Sequence, residues 1–166
     1  EYIKNNTSNT DNIKKLQNAL YSKGVLSKDH VEEGLILLYN KFNNGQINPL
    51  ERECRSVILD RNTFDIVSYT CNTPICNLNA IKYILDNSNL EKKIYQCYEG
   101  TLLSVFKHNE KWFVSTRRCI DSKKSQWKEK SHHDMFLEVL QKDGYNTINE
   151  FTDLLAIVLQ DSQTCQ

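Results

Sequence analysis

Two apolar runs on either side of a short polar pivot constrain this chain more than any other feature. Residues 101–107 and 111–116 are rich in β-branched and aromatic side chains, and His108-Asn109-Glu110-Lys111 turns between them. Strand-forming runs flanking a tight polar stretch read as a β-hairpin. The fold must therefore supply a sheet that this hairpin can belong to, and the rest of the chain offers the strands.

Arg55 to Asp60 and Phe64 to Tyr69 flank Arg61-Asn62-Thr63 and give a second hairpin signal. Leu35 to Tyr39 is an uninterrupted apolar run of strand length, followed by a loop rich in Asn and Gly over 40–49. With a run at 93–98, these segments predict an antiparallel sheet built from residues 35–39, 55–60, 64–69, 93–98, 101–107 and 111–116. Helical spacing appears on both sides of them. Thr10 can cap a helix with Ile13, Leu16, Leu20 and Tyr21 on its apolar face, and Gly24 stops it. Leu78, Ile81, Ile84 and Leu85 predict a short helix before the central hairpin. After Arg118 the period changes to 3.6. Ser131 and Asp134 form a capping-box pattern ahead of Phe136, Leu137, Val139 and Leu140, closed by Gly144. Thr147 and Glu150 repeat it ahead of Phe151, Leu154, Leu155 and Val158. The class is α+β, an antiparallel β-sheet core with peripheral helices.

Charge narrows the list of partners less than it usually does. Lys and Arg total 21 and Asp and Glu total 21, so the formal net charge is zero and any nucleic-acid surface must be local. One such neighbourhood exists: Lys107, Lys111, Arg117, Arg118, Lys123 and Lys124, with Lys128 and Lys130 beyond. Trp112, Phe113 and Trp127 are interleaved with it, a combination suited to single-stranded RNA. The six cysteines form no C-x-x-C pair and no zinc-type spacing, which points to free thiols in a reducing, cytoplasmic compartment. No run reaches transmembrane length and nothing resembles a signal peptide, so no membrane partner is expected. The adjacent His132 and His133 open a helix on different faces, so no metal site is expected.

Three short stretches carry a family resemblance. They are Glu53-Cys54-Arg55-Ser56, the segment from Thr70 to Asn79, and Cys97-Tyr98-Glu99-Gly100 just before the central hairpin. Together they resemble the adenylation domain of phage- and giant-virus-type RNA ligases, within the nucleotidyltransferase superfamily, over about Leu35 to Trp127. The resemblance implies a partial ligase adenylation-like fold, with ATP and magnesium as cofactors of an active member. It implies that Arg55 holds the nucleotide and that Glu99, beside Gly100, contacts the ribose. Arg117 and Arg118, closing the hairpin, complete the implied nucleotide-binding set.

The departures are chemical. Cys97 stands where the family has the lysine that becomes adenylated, and Ser56 replaces a glycine. Thr70 and Pro74 stand where an arginine and a lysine engage phosphates. Glu33-Gly34-Leu35-Ile36 has the family's E-G-x-V pattern but precedes the hairpin, and Lys128-Glu129-Lys130 has its K-x-K pattern but precedes a helix cap. Adenylate transfer needs an amine of lowered pKa and cationic groups on the transferring phosphoryl. The implied function is therefore a catalytically degenerate RNA-ligase-like domain kept for a binding or structural role. Two alternatives stand beside it: a fragment of an active ATP-dependent RNA ligase whose later motifs lie outside this chain, and a viral structural or assembly protein sharing only the fold, with protein partners in a virion. The expected division is a frayed segment at 1–10, a ligase-like domain at 11–127 and a helical segment at 128–166.

Overall fold

The helix α1, Asn12–Ser22, begins the described chain and sets the first core. Ile13, Leu16 and Leu20 recur at helical spacing and are buried, whereas Tyr21, expected on the same face, is 59% exposed. Gly24 ends the helix at φ +80, where a Cβ would also lie 2.7 Å from the Glu51 carboxyl carbon. Only glycine satisfies both demands. The structure, a computed structural model, describes residues 12–41, 48–96 and 99–153. Thr10, Cys97, Tyr98 and Leu154 to Val158, all used in the sequence reading, lie outside the described residues.

The chain forms two units, Glu1–Thr101 and Leu102–Gln166. In the first, β1 (Val25–His30), β2 (Leu35–Asn40), β3 (Val57–Asp60) and β4 (Ile66–Tyr69) make a four-stranded sheet in sequence order. All three pairings are antiparallel. The register sets Ile36 against Leu59 and Leu38 against Val57. Alternation along a strand then puts these four side chains on one face. There they pack with Leu16, Leu20, Val25 and Cys54, with Leu50 and Phe64 at the margin. Each such aliphatic burial stabilises by about 1.5–3 kcal/mol. Leu35, Leu37 and Ile58 fall on the opposite face and are buried as well.

The β3–β4 turn is closed by Asp60, whose Oδ1 accepts from the amides of Asn62 and Thr63 at 2.8 and 2.9 Å. The short helix α2, Pro49–Glu53, enters the sheet region between β2 and β3, and α3, Asn77–Asp86, follows β4. The α3 helix forms as its spacing predicts, but Leu78, Ile81, Ile84 and Leu85 are all more than half exposed.

In the second unit, β5 (Ser104–His108) and β6 (Lys111–Ser115) form the anticipated hairpin, with Phe106 opposite Phe113. Their rings stack at 5.3 Å. A two-residue pair, β7 (Gln126–Trp127) with β8 (Lys130–Ser131), leads into α4, His132–Lys142. Ser131 caps α4 as predicted, its Oγ accepting from the Asp134 amide at 3.0 Å. A further helical stretch over 148–153 is capped by Thr147, whose Oγ1 accepts from the Glu150 amide at 3.2 Å. Phe151 there meets Phe136 and Tyr145 edge-on.

The α+β class holds, with three corrections. β1 is a strand that periodicity did not reveal. The strands divide among one four-stranded and two two-stranded sheets in place of a single sheet. The run predicted at 93–98 has no regular structure over its described part, 93–96. There Ile94 is 98% and Tyr95 78% exposed, so among the described residues these side chains lie against no neighbouring strand that would hold them in a ladder.

Candidate functional site

Two of the three stretches singled out from the sequence meet in the first unit. Asn48 caps α2, its Oδ1 accepting from the Glu51 amide at 2.9 Å, and Pro49 occupies the first turn, where no amide is needed. One turn later the Cys54 amide closes on the Leu50 carbonyl at 3.0 Å, and the chain passes through Arg55 and buried Ser56 into β3. After β4 it returns past the same turn. The Thr73 amide donates to the Arg52 carbonyl at 2.8 Å, and the Arg55 Nη1 donates to the Cys71 sulfur at 3.0 Å. Buried Asn40 anchors both sides, its Nδ2 donating to the Glu51 carbonyl at 3.1 Å and to Thr73 Oγ1 at 2.6 Å. Tyr69 donates to Asn72 at 2.5 Å.

Electrostatics distinguishes the groups gathered here. Burial, then the Glu53 carboxylate, pushes the Cys54 thiol from the ordinary 9.0 up to about 11, so it stays protonated and unreactive at neutral pH. The Tyr69 phenol is also raised, by desolvation first and then by Cys71, Glu53 and Cys54, with Arg52 opposing. Arg52 was not singled out from the sequence. Its guanidinium lies over the Tyr83 ring at 5.7 Å, and its Nε is enclosed without a hydrogen-bond partner. Cys71 was passed over too, as one free thiol among several. The signal that could have found Arg52 was its spacing, three residues before Arg55.

Glu99 and Gly100 lie apart from regular structure, both exposed. Gly100 sits at φ +149 with open space around it. Arg117 and Arg118 belong to the second unit, in the tight turn bridged by Thr116 and Cys119, with Arg118 exposed and Arg117 half-buried. Around them the basic neighbourhood is partly engaged. Lys107 pairs with Glu110 at 2.6 Å, Lys130 pairs with Glu138 at 2.5 Å, and Lys111 lies 4.9 Å over the Phe113 ring. Trp127 is 64% exposed and Phe113 is buried.

His132 is buried, and its Nδ1 lies 2.8 Å from the Ser125 carbonyl and 3.0 Å from the Ser125 hydroxyl. Burial first, then Lys123, lowers the His133 pKa. Among the described residues no group of three or more His, Cys, Asp and Glu side chains could hold a metal ion. None of their helices is long and apolar enough to cross a membrane.

An α+β chain whose Glu53-Cys54-Arg55 turn is tied to the segment after β4 is what the sequence brings to comparison with known proteins. It is similar to a protein of Autographa californica nuclear polyhedrosis virus provisionally described as a bifunctional polynucleotide kinase/RNA ligase, at 26% identity over 128 residues. That alignment covers 72% of this chain and 18% of the viral protein, so the chain spans less than a fifth of that relative's length. No family model matches. No solved structure matches.

Proposed function

We propose that this chain is an RNA-ligase-like module that holds a nucleotide or RNA and does not itself form a covalent adenylate. The observation that carries the reading is the pairing of Arg55 with Cys71. The arginine expected to hold a nucleotide faces the segment expected to supply phosphate-binding cations. That segment offers a thiol between Thr70 and Asn72, with Pro74 beyond, and no cation of its own. The likeness to a viral protein whose description includes RNA ligase supports the same family of activities. In this reading the partial adenylation-like fold keeps its binding turn. Cys97 does not replace the lysine nucleophile, since a thiol would give a labile phosphorothiolate. The basic residues of the second unit, Lys107, Lys111, Arg117, Arg118, Lys123 and Lys124, contact RNA.

Losing the nucleophile and two phosphate-facing charges removes roughly 5 kcal/mol or more of barrier stabilisation. Incubating the chain with α-labelled ATP and magnesium, beside an active ligase as control, is expected to leave no labelled band after denaturation. A denaturation-resistant adduct on this chain overturns the reading, and its loss in Cys97→Ala would name the thiol as nucleophile.

A further inference from the structure

We infer that Arg52 and Arg55, which meet the segment after β4 at Thr73 and at Cys71, act as a pair that binds phosphate groups, a site that rests on the reading above but uses a residue it does not assign. Three observations converge. Arg52 Nε and Thr70 Oγ1 are both enclosed and have no hydrogen-bond partner. Buried polar groups are almost always satisfied in folded proteins, and one that is not calls for a water, an ion, a ligand or strain to account for it. Second, no carboxylate among the described residues pairs with either guanidinium, although Glu53 lies between them in sequence. Third, the donors are held in place before any ligand arrives. Tyr83 supports the Arg52 guanidinium at 5.7 Å, and the Arg52 carbonyl is tied to the Thr73 amide at 2.8 Å.

The chemistry of these donors selects phosphate. A guanidinium offers a planar fork that matches two phosphate oxygens, and such charge-assisted bonds are about twice as strong as neutral ones. The present partner of Arg55 is a thiol sulfur at 3.0 Å, a weak acceptor that a phosphate oxygen displaces readily. Two positive charges thus stand on the α2 side of the contact, across from Thr70 and Pro74. They supply from one strand-turn what those two positions do not supply from the other. The phosphates could belong to a free nucleotide or to the 5′ end of an RNA.

Calorimetric titration of the full chain distinguishes these sources and tests the pair. The probes are ATP, pyrophosphate, adenosine, and an RNA decamer carrying either a 5′-phosphate or a 5′-hydroxyl. Wild type is expected to bind ATP and pyrophosphate, and to prefer the 5′-phosphate RNA if the source is an RNA end. Arg52→Gln should weaken every phosphate-bearing probe by about ten-fold, the loss of one charge-assisted bond. It should leave adenosine and the melting temperature unchanged. Arg52→Lys should recover part of the loss, keeping the charge without the fork. If Arg52→Gln does not fold, Arg55→Gln should show the same loss of affinity for the phosphate-bearing probes. Unchanged affinity in the folded variants, with wild type binding, overturns the pair alone; no binding of any phosphate-bearing probe by wild type overturns the pair together with the proposed holding of a nucleotide or RNA. A covalent adenylate would overturn the proposed function and leave the pair standing.

Discussion

Leu35–Asn40 and the stretch around Ile94 look alike as sequence, apolar and β-prone, and end in opposite circumstances. The first is the best-buried strand among the described residues, with Leu35 and Leu37 at 0% and Ile36 and Leu38 at 2% exposure. In the second, Ile94 is 98% and Tyr95 78% exposed. Composition alone does not decide between them, although Lys93 and Gln96 flank Ile94 and Tyr95 where 35–39 is unbroken. Partners do: β2 is bordered by β1 along its whole length and by β3 over Leu35 to Leu38. Near Ile94 the available bonds are local, with Lys92 Nζ donating to the Ser88 carbonyl at 2.9 Å and the Leu90 carbonyl at 3.3 Å. β-Propensity expresses the fit of a side chain to a neighbouring strand, and it is silent where no neighbour is free.

The largest test of this contrast is Leu37→Ala. A fully enclosed leucine in a strand paired on both sides should cost about 3 kcal/mol, read as a lower urea midpoint at unchanged slope. A loss under about 1 kcal/mol would remove β2 from the centre of the unit. The next probe of the same core is pH. The Cys54 thiol is raised from 9.0 to about 11 in the fold. Its contribution is therefore complete below pH 9 and disappears as pH climbs through 11, because the unfolded chain ionises first. The loss should be about 2–3 kcal/mol, measured as the difference in pH dependence between wild type and Cys54→Ala. Coincident profiles would mean that this thiol is not enclosed. The smallest effect is expected where the contrast is sharpest. Ile94→Ser should change stability by less than about 0.5 kcal/mol. A larger loss would give the stretch a packing partner and dissolve the comparison.

The same distinction explains what was legible in the sequence. Hairpins whose two arms are adjacent in the chain announce their own partners, so β3–β4 and β5–β6 could be read from apolar runs and a turn. Caps are equally local, and Ser131 with Asp134 and Thr147 with Glu150 fix their helix starts as the residue types predict. β1 escaped because Ser27, Lys28 and Asp29 break its apolar pattern. It is an edge strand whose place comes from β2. For α3, periodicity located the helix but not its surroundings, and its leucines and isoleucines stay in solvent. In the site, Arg55 was legible through its motif. Cys71 and the setting of Arg52 were not, because the contacts of Cys71 with Arg55 and of Arg52 with Thr73 depend on how the chain returns after β4.

That return has a kinetic side. β1 to β4 pair only with their immediate neighbours in sequence, so the sheet is built from pairings local in the chain. The Asn40–Thr73 bond joins residues 33 apart and needs β2, α2 and the β4 exit already in position. Its closure is expected to follow the pairing of the strands it depends on. The turn that carries Arg52 and Arg55 is thus built on the durable part of the unit. The segment facing it, Thr70 to Thr73, is held by contacts more distant in the chain, and its amides are expected to exchange faster than those of β2 and β3.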